Sequence, residues 1–152
     1  MIRNSSAALC LVLLALTTLN LPTWANQTVP LRGSASYTAQ ITVLEPGRWR
    51  IVGEGDGTAT HVGQLHVQFT YDVEVATGAL IGQVRATAAN GDQFGGSVTG
   101  TYGQNGSEGV VTIDFGTGRF ENATGSARFT SDQDSVEYDG TITYRAADGA
   151  GH

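Results

Sequence analysis

The chain has 152 residues, of which 21 are glycine, and it carries 14 acidic residues against eight arginines and no lysine. Its formal net charge of −6 argues against nucleic acids and anionic membranes as partners, because both attract basic surfaces. The single cysteine, Cys10, lies in an N-terminal apolar stretch, so the rest of the chain cannot build a disulfide framework.

The first 25 residues have the pattern of a secretory signal peptide. Met1-Ile2-Arg3 is a short positive segment, an apolar run extends from Ala7 to Leu21, and Thr23-Trp24-Ala25 supplies a small residue for cleavage. The apolar run is shorter than the roughly 20 residues that a membrane-spanning helix needs. We therefore predict cleavage near Ala25, a secreted or periplasmic protein of residues 26–152, and no membrane insertion after cleavage.

The rest of the chain alternates apolar and polar residues at period two, which indicates short β-strands rather than helices. Segments rich in Gly, Asn and Asp separate the alternating runs and are typical of tight turns. In chain order, strands are predicted near residues 35–43, 48–53, 60–71, 80–88, 93–102, 111–115, 125–130 and 136–144. The glycine-rich segment 53–57 is predicted as a loop, and the residues from about 146 onwards as a loose tail.

About eight strands with short connections predict a single all-β domain over residues 26–152. Eight antiparallel strands can close into a β-barrel whose interior holds side chains or one small ligand. Closure would also remove the exposed edges of an open sheet. Alternation alone does not distinguish a barrel from two packed sheets, so a β-sandwich is the alternative.

Three segments, in this order and spacing, resemble secreted bacterial proteins of the allene oxide cyclase barrel-like group: Gly57–Gly63, Ala88–Asp92 and Gly116–Gly125. The third is similar to the GGTG-(R/K)-F-x-x-A-x-G signature of plant dirigent proteins and allene oxide cyclases, with Phe115 in place of the first glycine. The resemblance implies an eight-stranded antiparallel barrel with a largely apolar cavity. It also implies that the cavity holds a reactive small molecule in one conformation.

The catalytic residues of the plant proteins do not carry over, because the matching segments are mainly turns and glycines. No catalytic triad stands out either, so whether the chain is an enzyme stays open. If it is one, the resemblance implies an isomerase or cyclase.

Six residues are candidate ligand-binding residues at the barrel interior or mouth: His61, Asn90, Asp92, Tyr102, Arg119 and Tyr138. His61 is predicted on one strand face with Leu65 and Val67, where it could exchange a proton or orient a ligand. A buried histidine that hydrogen-bonds a neighbouring strand is the competing interpretation. Arg119 is expected to form a structural ion pair with Asp92, Asp114 or Glu121.

The five tyrosines, Tyr37, Tyr71, Tyr102, Tyr138 and Tyr144, all fall on predicted inner faces. They either pack against one another or line a cavity.

No metal site and no cofactor are predicted. An odd separation puts His61 and His66 on opposite faces of a strand, and the Gly116-Thr117-Gly118 segment opens no helix that could receive a phosphate. We predict a small apolar or aromatic molecule as the partner, with homo-oligomerisation left open. The alternative is a non-enzymatic secreted structural or interaction protein whose barrel is filled by its own side chains.

Overall fold

The computed structural model describes residues 25–145, which form a closed barrel of eight antiparallel strands. The strands are β1 (Asn26–Glu45), β2 (Arg48–Ala59), β3 (Gly63–Glu74), β4 (Ala79–Ala88), β5 (Gln93–Gly103), β6 (Gly106–Gly116), β7 (Thr124–Ser131) and β8 (Ser135–Arg145). Each strand pairs with the next, and β8 returns to β1. The barrel prediction is confirmed and the β-sandwich is excluded. The predicted signal peptide and the predicted tail lie outside the described residues, apart from Ala25.

The prediction of a loop at residues 53–57 is wrong, because this glycine-rich segment lies within β2. A Cβ atom on Gly55 would come within 2.0 Å of the Ser36 carbonyl oxygen, and one on Gly57 within 2.1 Å of the Ser34 carbonyl oxygen. These glycines therefore allow β1 and β2 to approach closely as the sheet coils. They serve strand packing and not a turn.

Two of the tight turns predicted at Gly- and Asn-rich segments are built on Asn-Gly pairs. Asn90-Gly91 lies between β4 and β5, and Asn105 lies between β5 and β6, with Gly106 as the first residue of β6. Gly91 has a φ of +91° and Gly106 a φ of +130°, which glycine adopts readily because it has no Cβ.

The connections between strands lie at two ends of the barrel. The closed end comprises residues 60–62, 89–92 and 117–123, together with the start of β1 and the end of β8. A short 3₁₀ turn (Gly118–Phe120) inserts Phe120 there, and this side chain is fully buried. Its ring packs on Phe94 and Tyr144, with centroids 4.9 and 5.1 Å away. The open end comprises residues 46–47, 75–78, 104–105 and 132–134.

One edge of β1 stays uncovered at the open end, so closure does not remove every sheet edge. β1 pairs with β8 only as far as Ser36, and the Tyr37 N–H then donates to the Asp134 carbonyl at 2.8 Å. The segment 38–44 pairs with β2 but has no strand on its other side within residues 25–145. Val43 in this segment is 65% exposed.

No helix in the described part of the chain combines the length and the apolar character that crossing a membrane requires.

Candidate functional site

A cavity of about 430 Å³ occupies the barrel interior and reaches the open end. Most of its lining is apolar, and two of the open-end turns, 104–105 and 132–134, contribute residues to its mouth. The apolar and aromatic side chains of the lining include Leu31, Ile51, Leu65, Val67, Phe69, Val84, Phe94, Val111, Ile113, Phe129 and Val136, and the mouth includes Gln104, Asp132 and Gln133.

Strand alternation explains why the lining is apolar, and side-chain size explains why it is not filled. On β3, Leu65, Val67 and Phe69 point inward, whereas Gln68 and Thr70 on the same strand are exposed. Other inward positions carry alanine, whose single methyl group leaves space that a larger side chain would occupy. The alanines of the lining are Ala35, Ala39, Ala86 and Ala127.

Four aromatic rings form a continuous shelf across the cavity, which we call the aromatic shelf (Tyr37, Phe69, Tyr71 and Phe129). Tyr37 meets Phe69 edge-on at 5.4 Å between centroids, and Phe69 stacks on Tyr71 at 4.7 Å. Tyr71 in turn stacks on Phe129 at 6.4 Å. Because β3 and β7 are four strands apart in an eight-stranded barrel, the last contact joins opposite walls.

Two of the cavity-lining phenols are anchored by the backbone. The Tyr138 hydroxyl donates to the Thr58 carbonyl at 2.7 Å, and burial raises the pKa of this phenol to about 12. The Tyr37 hydroxyl donates to the Asp132 carbonyl, and burial also raises the pKa of Tyr37. Both side chains therefore stay protonated at neutral pH and brace the barrel wall.

Two other phenols keep a free hydroxyl. Within residues 25–145, no protein group accepts a hydrogen bond from Tyr71 or from Tyr102, and both side chains line the cavity. Burial raises the pKa of the Tyr71 phenol, and the neighbouring Tyr37 phenol adds to the effect. Tyr71 is thus a neutral hydrogen-bond donor within an apolar surface. Tyr102 lies nearer the open end, edge-on to Trp49 at 6.3 Å between centroids.

Among the described residues, one carboxylate is found in the lining, that of Asp132 at the mouth. Asp132 Oδ1 accepts hydrogen bonds from the Asp134 N–H at 3.2 Å and the Ser135 N–H at 2.9 Å, and from the Ser135 hydroxyl at 2.9 Å. The backbone N–H of Asp134 and the two Ser135 donors lower the pKa of this carboxyl group. No lysine, arginine or histidine of the described residues lines the cavity.

Two candidates from the sequence, Tyr102 and Tyr138, do line the cavity. The predicted inner faces of Tyr37 and Tyr71 are confirmed in the same way. Tyr144 also points inward, but it packs on Phe120 at the closed end and does not line the cavity. The sequence did not single out Tyr71 from the other tyrosines, because its missing hydrogen-bond partner depends on which strands meet around it.

The predicted inward orientation of His61 is wrong. This residue lies in the turn between β2 and β3, has a φ of +62°, and exposes its side chain. Apolar and polar residues keep alternating through the turn, so the pattern did not reveal that β3 begins only at Gly63. The adjacent Thr60 side chain ties this turn to β1, because its hydroxyl donates to the Pro30 carbonyl and accepts from the Arg32 N–H.

The remaining candidates, Asn90, Asp92 and Arg119, come together at the closed end and away from the cavity lining. One oxygen of Asp92 accepts from the Asn90 side-chain amide at 2.9 Å and from the Arg119 backbone N–H at 3.2 Å. The predicted ion pair of Arg119 does not form within residues 25–145. Its guanidinium instead donates to the Val62 carbonyl at 3.1 Å and lies over the Phe120 ring at 4.6 Å. These contacts hold the 3₁₀ turn against the barrel.

Within residues 25–145, no group of three or more histidine, cysteine, aspartate or glutamate side chains is arranged to hold a metal ion.

Comparison of the chain with protein-family models finds no match, and comparison with curated protein sequences finds no relative. The resemblance to the allene oxide cyclase group therefore stays a prediction. A closed eight-stranded barrel does not decide it, because the same architecture carries many unrelated functions.

Proposed function

We propose that this protein binds one small, apolar molecule inside its barrel. The observation that carries the proposal is the open cavity of about 430 Å³ with its mainly apolar lining. Small-molecule sites typically enclose about 300–1,000 Å³ and combine an apolar lining with a few polar groups. The cavity has this composition, with two free phenols among aliphatic and aromatic side chains.

The competing hypothesis, a barrel filled by its own side chains, has support in part of the interior. Val73, Leu80 and Val98 are each 1% exposed and pack together with Ile51 and Phe129. The alanine-lined cavity beside this cluster is not filled by side chains. The ligand-binding proposal rests on this open volume.

Two further aspects of the proposal depend on the sequence alone. The location outside the cytoplasm rests on the N-terminal pattern of residues 1–25. A cyclase-like or dirigent-like positioning role rests on the resemblance of three segments, and it would use the same cavity.

Titration with N-phenyl-1-naphthylamine, an uncharged dye that fluoresces strongly in apolar surroundings, tests the proposal. We expect saturable binding of one dye per chain. Ala86→Leu fills part of the cavity. It should weaken dye binding about tenfold or more, because the dye could then enter only with the strain of an overpacked site. Ala127→Leu is a second filling variant in case the first folds poorly. Ala79→Leu, on an exposed residue of the same strand as Ala86, is the matched control.

No saturable binding, or equal binding by the filling variants and the Ala79→Leu control, would overturn the proposal. As an independent readout, native mass spectrometry of protein purified from its own host is expected to reveal a co-purifying small molecule.

A further inference from the structure

The charge of the cavity restricts which molecules it can hold. Of the lining residues within 25–145, Asp132 alone is ionisable near neutral pH, and it lies at the mouth. The Asp132 carboxylate is stabilised in its charged form by three donors on Oδ1. The interior beyond the mouth is therefore uncharged, and the nearest charge at its entrance is negative.

An anionic ligand would be strongly disfavoured in this cavity. Moving a charge from water into apolar surroundings is unfavourable unless an opposite charge or several hydrogen bonds compensate it. No cation in the described part of the chain lines the cavity. The carboxylate at the mouth and the net charge of −6 would add repulsion.

The free hydroxyl of Tyr71 supplies a point of polar recognition in the cavity. Tyr71 belongs to the aromatic shelf, between Phe69 at 4.7 Å and Phe129 at 6.4 Å. Its neighbours Tyr37 and Tyr138 already donate to backbone carbonyls, whereas the Tyr71 O–H has no acceptor within residues 25–145. Because this hydroxyl borders the open cavity, a ligand that excludes water from it gains by bringing an acceptor of its own, since a donor left unpaired is unfavourable.

We propose that the cavity selects uncharged molecules that carry a hydrogen-bond acceptor, and that the Tyr71 hydroxyl donates to this acceptor. This inference rests on the proposed function. The ligand class is a neutral, mainly apolar molecule with a carbonyl, ether or comparable oxygen. Fatty acids, phosphates and sulfonates of similar size are strongly disfavoured because they are anionic. Tyr71 is the residue that determines specificity, and the aromatic shelf supplies the surface on which the apolar part of the ligand lies.

Two dyes with the same ring system test the selection by charge. N-phenyl-1-naphthylamine is uncharged, and 1-anilinonaphthalene-8-sulfonate adds one sulfonate to the same skeleton. We expect the uncharged dye to bind the wild-type protein at least about 100-fold more tightly than the sulfonate dye. The reason is that one uncompensated charge is strongly unfavourable in an apolar site. Equal or tighter binding of the sulfonate would overturn the selection by charge. Failure of both dyes to bind would instead overturn the proposed function itself.

A third dye, 6-propionyl-2-dimethylaminonaphthalene, tests the role of Tyr71 because it carries a ketone and its emission depends on hydrogen bonding to that ketone. Tyr71→Phe should weaken its binding about 3- to 10-fold, the range for one hydrogen bond, and shift its emission to shorter wavelength. The loss should be larger for this ketone dye than for N-phenyl-1-naphthylamine, because the latter carries no carbonyl to accept the Tyr71 hydrogen bond. Tyr144→Phe, at the closed end, is the matched control.

Unchanged ketone-dye affinity and emission in Tyr71→Phe would overturn the role of this residue. The same effects in Tyr102→Phe and not in Tyr71→Phe would also overturn it, because the free phenol near the mouth would then be the donor.

Discussion

Tyr71 on β3 and Phe129 on β7 stack across the interior of the barrel, with ring centroids 6.4 Å apart and an angle of 20° between the ring planes. This contact connects opposite walls, and Phe129 both lines the cavity and packs against the filled part of the interior. Val73, Leu80 and Val98 occupy the filled part. The contact therefore contributes both to the stability of the barrel and to the shape of the cavity.

Phe129→Ala is expected to lower the free energy of unfolding by about 3–5 kcal/mol, the usual effect of removing a buried phenylalanine. Phe129 is 6% exposed, so most of its ring would be replaced by empty volume. Urea denaturation measures the change. Val110→Ala, at an outward position that is 38% exposed, serves as the control and should change the stability little. A loss below about 1 kcal/mol in Phe129→Ala would contradict a packing role for the ring.

The Asp92 carboxylate is expected to stabilise the closed end without contributing to ligand binding. Asp92→Ala removes the acceptor of the Asn90 amide and of the Arg119 N–H, and should cost about 1–3 kcal/mol of stability. Dye binding at the open cavity should persist below the midpoint of denaturation. Asp139→Ala, which breaks an exposed ion pair with Arg32, should cost less than about 1 kcal/mol. Loss of dye binding in folded Asp92→Ala would contradict the separation of the two ends.

The sequence predicts the orientation of side chains within regular strands well, but it fails where the chain turns or where two strands approach closely. Alternation placed Leu65, Val67 and Phe69 on the inner face correctly, because the strand period of two directly determines which wall a side chain faces. It failed at His61, where the alternating pattern continues through a turn with positive φ. It also failed at Gly55, since a glycine that allows two strands to approach is indistinguishable in sequence from one that makes a turn.

The candidate site itself could be predicted only in part. Tyr102 and Tyr138 were singled out and line the cavity, but Asn90, Asp92 and Arg119 serve the closed end. The free volume depends on which alanines face one another across the barrel, and the free Tyr71 hydroxyl depends on which carbonyls its neighbours occupy. Both depend on contacts between strands distant in sequence, which local patterns do not specify.

The exposed side chain of His66 is expected to make stability depend weakly on pH. Its hydrogen bond to Asp56 at 2.8 Å, with Glu54 nearby at 3.5 Å, raises the pKa of the imidazole in the folded protein. This stabilisation is fully present below the ordinary histidine pKa of about 6.5 and is lost as the pH rises through the higher folded value.

Because the His66 side chain is 40% exposed, we expect its raised pKa to contribute less than about 1 kcal/mol to the free energy of unfolding. A nuclear magnetic resonance titration of the imidazole measures the folded pKa directly. Asp56→Asn should lower this pKa, and His61→Gln, in the adjacent turn, should leave it unchanged. A His66 pKa at or below 6.5 in the wild-type protein would contradict the structure.

The uncovered edge of β1 is expected to promote self-association at high protein concentration. Unpaired backbone groups on an uncharged strand edge can pair with a second copy, and lysine is the usual protection against such pairing. No charged residue interrupts the segment 38–44. Sedimentation velocity over a concentration series should show association that Val43→Lys reduces. Val52→Lys, at an exposed position on the neighbouring strand, is the control and should not reduce it. Equal behaviour of the two variants would exclude this edge as the site of association.

The most direct test of the central claim, that an uncharged molecule binds inside the barrel, is to locate a bound molecule by nuclear magnetic resonance. Intermolecular nuclear Overhauser effects between N-phenyl-1-naphthylamine and methyl groups report contacts within about 5 Å, a distance on the scale of packed side chains. If the dye binds inside the barrel, we expect contacts with Leu31 and Val67 of the lining and none with Val52 and Ile81, which are exposed. Contacts with Val52 and Ile81 instead, or no contact with the lining at saturation, would contradict it.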